Sequence, residues 1–164
     1  MTDSDLCQEN VGRLLSDAPE NAVSLAWLDE AHAEQLRLCQ ALEEIADSLP
    51  SNVNRQKCIY AAKVLGPLVY GVHRYEEMVL FPMLARSVTR RASLSATISR
   101  LKFEHFEDEC FAEELTDALL RLGRSDPTVN AEATGYMLRA FFEAMRRHIA
   151  FEQEFLLRDF RMMQ

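Results

Sequence analysis

The sequence predicts an all-α protein, an up-down-up-down bundle of four long helices, and three observations predict it. Apolar residues recur at helical spacing along four stretches of the chain. Gly and Pro are few, five of each, while Leu, Ala and Glu are abundant. The links between the stretches are short, which favours antiparallel neighbours. At 164 residues and 48% apolar the chain can bury one sizeable core. The expected organisation is a flexible arm over 1–20 and one four-helix domain over 21–162.

The arm mixes polar residues with an apolar patch at Val11, Leu14 and Leu15 and ends in Asp17-Ala-Pro-Glu, with room for one short helix. From about Asn21, Val23, Leu25, Leu28, His32, Leu36, Cys39, Leu42 and Ile45 mark the first long helix, which Asp47-Ser-Leu-Pro50 stops. Ser51 or Asn52 caps a second, carrying Ile59, Ala62, Leu65, Val69, His73 and Glu77 toward Leu84. Pro67 has no N–H for the Lys63 carbonyl, so Gly66-Pro67 predicts a kink or a short break, and Pro82 loosens the end. A third helix begins near Thr89 to Ser93, carries Leu94, Ile98, Leu101, His105, Ala112, Leu115 and Leu119, and ends at Gly123, placed as a C-terminal glycine. The fourth runs from about Thr128 to Phe160 with Met137, Phe141, Ala144, His148, Glu152 and Phe155 along its stripe.

A net charge of −8 argues against nucleic acid or an anionic membrane as partner. No apolar run approaches the length of a membrane span and the N-terminus lacks a signal peptide's basic and apolar regions, so a cytoplasmic protein is expected. Cys7, Cys39, Cys58 and Cys110 are scattered without a C-x-x-C pair and read as reduced, mostly structural thiols.

The chain contains only four histidines, and His32, His73, His105 and His148 fall one to each expected helix, each among apolar residues. His73 and His148 carry a glutamate four residues on, at Glu77 and Glu152, about one turn away on the same face. A lone His on an apolar stripe is ordinarily a hydrogen-bonded core residue; four with two H-x3-E repeats point to a metal cluster. Four imidazoles and two carboxylates suit a borderline transition metal rather than calcium or magnesium. Six ligands are natural for two ions bridged by both carboxylates, with room for an oxo or hydroxo bridge and an exogenous ligand. Iron is favoured for such a mixed N/O shell, with zinc and manganese as the other choices. The ferritin-like signature Glu-x-x-His does not occur, since Asp29, Tyr70, Lys102 and Met145 precede the four histidines by three.

Over roughly residues 22–160 the chain resembles the hemerythrin-like family of HHE cation-binding domains. The resemblance rests on Asp29-Glu-Ala-His32, His73-Arg-Tyr-Glu-Glu77 with Leu80-Phe-Pro-Met-Leu84, Phe103-Glu-His105 and His148-Ile-Ala-Phe-Glu152. It implies a non-haem di-iron centre binding oxygen, nitric oxide or peroxide, with the four histidines as terminal ligands and Glu77 and Glu152 as bridges. The sequence departs from the oxygen carriers of the family, which place a second His where Glu109 stands and end in H-x4-D. Reversible oxygen carriage is therefore disfavoured against oxidative or nitrosative stress response, iron or oxygen sensing, peroxide breakdown or iron-centre repair, the last little supported by Cys7 alone. Glu109 is a candidate seventh ligand, or a base behind the ligands, or a solvated acid. Glu76 is expected to be exposed, and Tyr70 to be a core or groove residue or a hydrogen-bond donor to a bound oxygen species. The alternative to a ligand-binding di-iron protein is a regulatory or scaffolding bundle with a structural or sensory metal and a protein partner.

Overall fold

The computed structural model describes residues 3–86 and 91–162, so the expected start of the third helix near Thr89 lies partly outside the described residues. Everything regular among them is helical: α1 (Asp3–Ser16), α2 (Leu25–Ser48), α3 (Arg55–Tyr75), a π-helical turn (Glu76–Leu80), α4 (Phe81–Arg86), α5 (Arg91–Gly123), α6 (Ala131–Phe151), a second π turn (Glu152–Leu156) and α7 (Leu157–Arg161). Three of the four long helices start on a side chain that satisfies an orphan backbone N–H. Ser24 accepts from Trp27 N, Asn54 from Lys57 N and Asn130 from Ala133 N. These caps lie two or three residues beyond the expected starts.

The long helices pack in a ring, α2 on α3, α3 on α5, α5 on α6 and α6 on α2. Their inward residues form one continuous hydrophobic cluster. The stretch expected as a flexible arm is part of it. Val11 and Leu14 of α1 are buried, and Trp27 Nε1 donates to the Leu14 carbonyl at 2.9 Å. The approach of α1 to α3 depends on Gly71, where a Cβ would run into the Leu15 side chain. Tyr75 secures the following link, donating to Ala22 O and accepting from Ser24 N.

Pro67 does not break α3. Lys63 and Pro67 both lie on the exposed face, so water can take the carbonyl that Pro67 leaves without a donor. Pro82 follows the first π turn, in which Phe81 N donates to Glu76 O five residues back. Leu36 and Phe155, expected inside, are exposed. The second π turn inserts extra backbone, leaving Leu156 and Leu157 inward and Phe155 outward. Gly123 does not adopt a left-handed conformation; Ser125 does, at φ 57°. Ser125 N donates to Leu122 O and Asp126 N to Arg121 O, the paired bonds of a Schellman end. Gly123 serves close approach instead: a Cβ there would meet Ile59 and the Arg55 carbonyl. Among the described residues no helix is long and apolar enough to cross a membrane.

Candidate metal centre

The most buried line of α3 runs Ala61, Leu65, Leu68, Val72, at steps of four and three residues, and its next member is Glu76. Glu76 is 1% exposed. On α6 the corresponding line runs Leu138, Phe142, Met145, Ile149, Glu152 and Leu156. Glu76 and Glu152 also share a backbone position, each being the first residue of a π turn. Such turns are frequent at functional sites, where one inserted residue re-aims a side chain.

Around these two carboxylates the four imidazoles converge. His32 Nε2 lies 3.1 Å from Glu76 Oε1 and 3.3 Å from Glu152 Oε2. His105 Nε2 lies 3.3 Å from Glu76 Oε2, and His148 Nε2 lies 3.4 Å from Glu152 Oε1. The His105 and His148 Nε2 atoms are 3.2 Å apart, and the His73 ring stacks on that of His105 with centroids 3.8 Å apart. All four rings are buried. Ligand atoms of Glu76, His105, His148 and Glu152 lie within 4.8 Å of one another, as do those of His73, His105 and His148.

Glu77, expected as the bridging partner of Glu152, lies elsewhere. Its side chain is about a third exposed, and its Oε1 sits 2.8 Å from His105 Nδ1, on the outer side of that ring. Its neighbour Glu76, expected to be exposed, occupies the inner place. His73 is one residue past Val72 on the buried line, so the next inward position comes three residues later; His148 is one residue before Ile149, so there it comes four later. Glu109 Oε1 lies 3.2 Å from His73 Nδ1, again on the outer side. Glu104 and Gln153, which no spacing in the sequence singles out, face the Nδ1 atoms of His148 and His32 at 3.2 Å and 3.5 Å. Each partner comes from a different helix from the ring it touches, which is why a single-helix pattern cannot find it. Tyr70 is 54% exposed on the outer surface and does not enter the cluster.

The charges are strongly coupled. Burial pulls the His32 imidazole down, but Glu152 and Glu76 outweigh it and hold the ring up at about 10. Burial likewise pulls His148 down, and Glu152 with Glu76 and Glu104 outweighs it and raises the ring to about 9. His105 is raised by Glu76 and Glu77 against its burial. His73 is driven well below its ordinary value by burial and by His105 and His148. Burial pushes Glu152 up, and His148 and His32 more than reverse it.

The donor set fits a metal. Three of its buried inward atoms, His73 Nε2, Glu76 Oε2 and Glu152 Oε1, have no hydrogen-bond partner. Orphaned acceptors and ring nitrogens this deep are costly, and a cation among them satisfies all three. A cleft of about 460 Å³ between α5 and α6, lined by Arg100, Glu104, Asp108, Arg147 and Phe151 among others, reaches His148 from the surface.

A family model of the hemerythrin HHE cation binding domain matches residues 23–158 of the chain. Comparison with curated proteins and with solved structures gives no match.

Proposed function

Because the chain belongs to the hemerythrin HHE cation-binding domain family, we propose that the cluster holds two iron ions and that the protein binds a small oxidant or diatomic ligand there, in stress response or in iron or oxygen sensing. The observation that carries this is the convergence of four imidazoles and two buried carboxylates on atoms left without hydrogen-bond partners. His32, His73, His105 and His148 would hold the metal through their imidazole nitrogens, and Glu76 and Glu152 through their carboxylate oxygens. When bound, an iron pair would supply electrons and open positions for oxygen, nitric oxide or peroxide; zinc in the same ligands would offer open positions without the electrons. Phe81 stacks on His105, and Leu28, Val72, Leu80 and Leu101, each four residues along the chain from His32, Glu76 or His105, are buried, which keeps bulk water scarce around the cluster and favours small ligands. The four long helices are read as an up-down-up-down bundle, supported by their ring of packing partners and by the short links at 49–54 and 124–130.

Metal analysis of the purified protein should give about two irons per chain. His73→Ala/His148→Ala with unchanged iron content would rule the centre out. Catalytic consumption of peroxide by the iron-loaded protein would favour an enzyme, and ligand binding without turnover a sensor. A partner-binding role for the same metal domain draws support from exposed Tyr70, Met78 and Phe106 lining one groove between α3 and α5.

A further inference from the structure

The helix α5 carries apolar side chains on two opposite faces. Leu101, Ala112, Leu115 and Leu119 are buried in the core. On the other side Ala96, Ser99, Phe103, Phe106 and Cys110 are all exposed and follow one another at steps of three and four residues. Phe103 and Phe106 are 60% and 63% exposed, a costly placement for two phenyl rings on one stripe. Steps of three and four keep a stripe on one line of a helix and are the spacing by which two helices interlock as a coiled coil. The charges beside the stripe are divided along its length. Lys102 and Glu109 flank it toward α3, in a groove shared with Tyr70 and Met78, and Arg100 and Glu107 flank it toward α6. On each flank the base lies before the midpoint between Phe103 and Phe106, and the acid after it.

A stripe with bases before its centre and acids after it is complementary to itself run in reverse. We propose that α5 packs antiparallel against α5 of a second copy of this chain, about a two-fold axis between Phe103 and Phe106. Phe103 then meets the partner's Phe106, and Ser99 meets the partner's Cys110. Lys102 faces the partner's Glu109 on one flank and Arg100 faces the partner's Glu107 on the other, and the axis makes each pair twice. Such a self-complementary patch closes at two copies. Parallel pairing would bring equal positions level and set the acids at 107, 109, 113 and 114 against acids. Arg100 already touches Glu104 and covers the Phe151 ring, and an exposed pair of that kind is weak enough to be shared. Tyr70 and Met78, 54% and 69% exposed, widen the seam along α3 toward the roughly 1,200 Å² that specific dimers bury. The pairing depends on the outer face of α5 alone and stands whether or not the buried cluster holds iron.

The test is sedimentation equilibrium of the full chain over a range of concentrations, with circular dichroism as the check on folding. The expected result is a monomer–dimer equilibrium. Phe106→Asp, present twice at the axis, should weaken the dimer by about 100-fold while the helical signal is kept. Arg100→Glu should weaken it by about 10-fold, and Arg100→Glu/Glu107→Arg should restore it. Direction is read by disulfide cross-linking with diamide in a Cys7→Ser background, Cys39 and Cys58 being buried. Ser99→Cys should link two chains through the partner's Cys110, whereas Cys110 alone should link none, its two copies lying about 16 Å apart along the seam. Positions 99 and 110 of one helix are also about 16 Å apart, so the link cannot form within a chain. A chain that stays monomeric to millimolar concentration leaves the face to some other partner and overturns the proposal. A dimer indifferent to Phe106→Asp, or a charge swap that fails to restore it, overturns it too, and cross-linking of Cys110 to its own copy overturns the antiparallel pairing. None of these outcomes bears on iron uptake, which metal analysis reads separately.

Discussion

Glu76→Gln, set against Glu77→Gln, separates the inner carboxylate from the outer one. In the chelator-stripped protein Glu76 and Glu152 together hold His32 from an ordinary 6.5 up at about 10. At about 1.4 kcal/mol per tenfold change in proton affinity, that rise corresponds to roughly 5 kcal/mol of stability, or about 2 kcal/mol for each carboxylate if they share it evenly. The sign follows from the direction: a raised imidazole stabilises the fold fully below its unfolded value of 6.5, and the contribution is lost as pH climbs toward about 10. Glu76→Gln should therefore cost about 2 kcal/mol in urea unfolding near pH 6 and much less near pH 9.5. Glu77, a third exposed and screened by water, should cost under about 1 kcal/mol at either pH. Iron content should follow, falling in Glu76→Gln and reaching its full value in Glu77→Gln at saturating iron. A Glu77→Gln cost equal to that of Glu76→Gln, or a Glu76→Gln cost indifferent to pH, would refute the assignment of the inner carboxylate.

Three further outcomes are expected. Because His32 and His148 titrate at about 10 and about 9, both are imidazolium at neutral pH and must give up a proton to ligate; loading the stripped protein near pH 7 should release roughly two protons, read with an indicator dye in weak buffer, and proton-neutral loading would contradict it. Ser125→Gly should stabilise the protein by about 1 kcal/mol in thermal or urea unfolding, since Ser125 holds a left-handed φ that glycine adopts freely. Asp126 accepts from the Thr128 hydroxyl and backbone N–H and from Arg121, which together hold its carboxyl down at about 2. Its contribution is present above an unfolded value of 3.8 and lost as pH falls through about 2, so Asp126→Asn should remove part of the acid-induced loss of stability between those limits, and an unaltered acid melt would count against the turn's role.

The fold was largely legible because its signals are local. Apolar periodicity located the four long helices, and the acceptance of Pro67 within α3 needs only the knowledge that Lys63 and Pro67 share the wet face. Less legible were the features that depend on contacts between distant residues. Val11 and Leu14 read as a patch on a loose arm because the Trp27 and Gly71 surfaces that receive α1 belong to other helices. Phe155 was misplaced because a π turn leaves no simple mark in composition, yet it shifts every side chain beyond it.

The same limit explains why Glu76, rather than the expected Glu77, faces the inner cluster. Two H-x3-E repeats look equivalent when each is read along its own helix, and they would be equivalent if both histidines sat at the centre of the buried face. They sit instead at opposite edges, His73 just after Val72 and His148 just before Ile149, because both turn toward His105 on α5. In the up-down arrangement proposed above, α3 and α6 run parallel on opposite flanks of α5, so a side chain turned toward α5 is displaced clockwise on one and anticlockwise on the other. The step back to the centre is then three residues on α3 and four on α6, which selects Glu76 and Glu152. The deciding signal was already present in the line Ala61, Leu65, Leu68, Val72, whose next member is Glu76 rather than Glu77. Glu77 is thereby released to hold His105 from outside, so the paired acids Glu76-Glu77 serve the two sides of one centre.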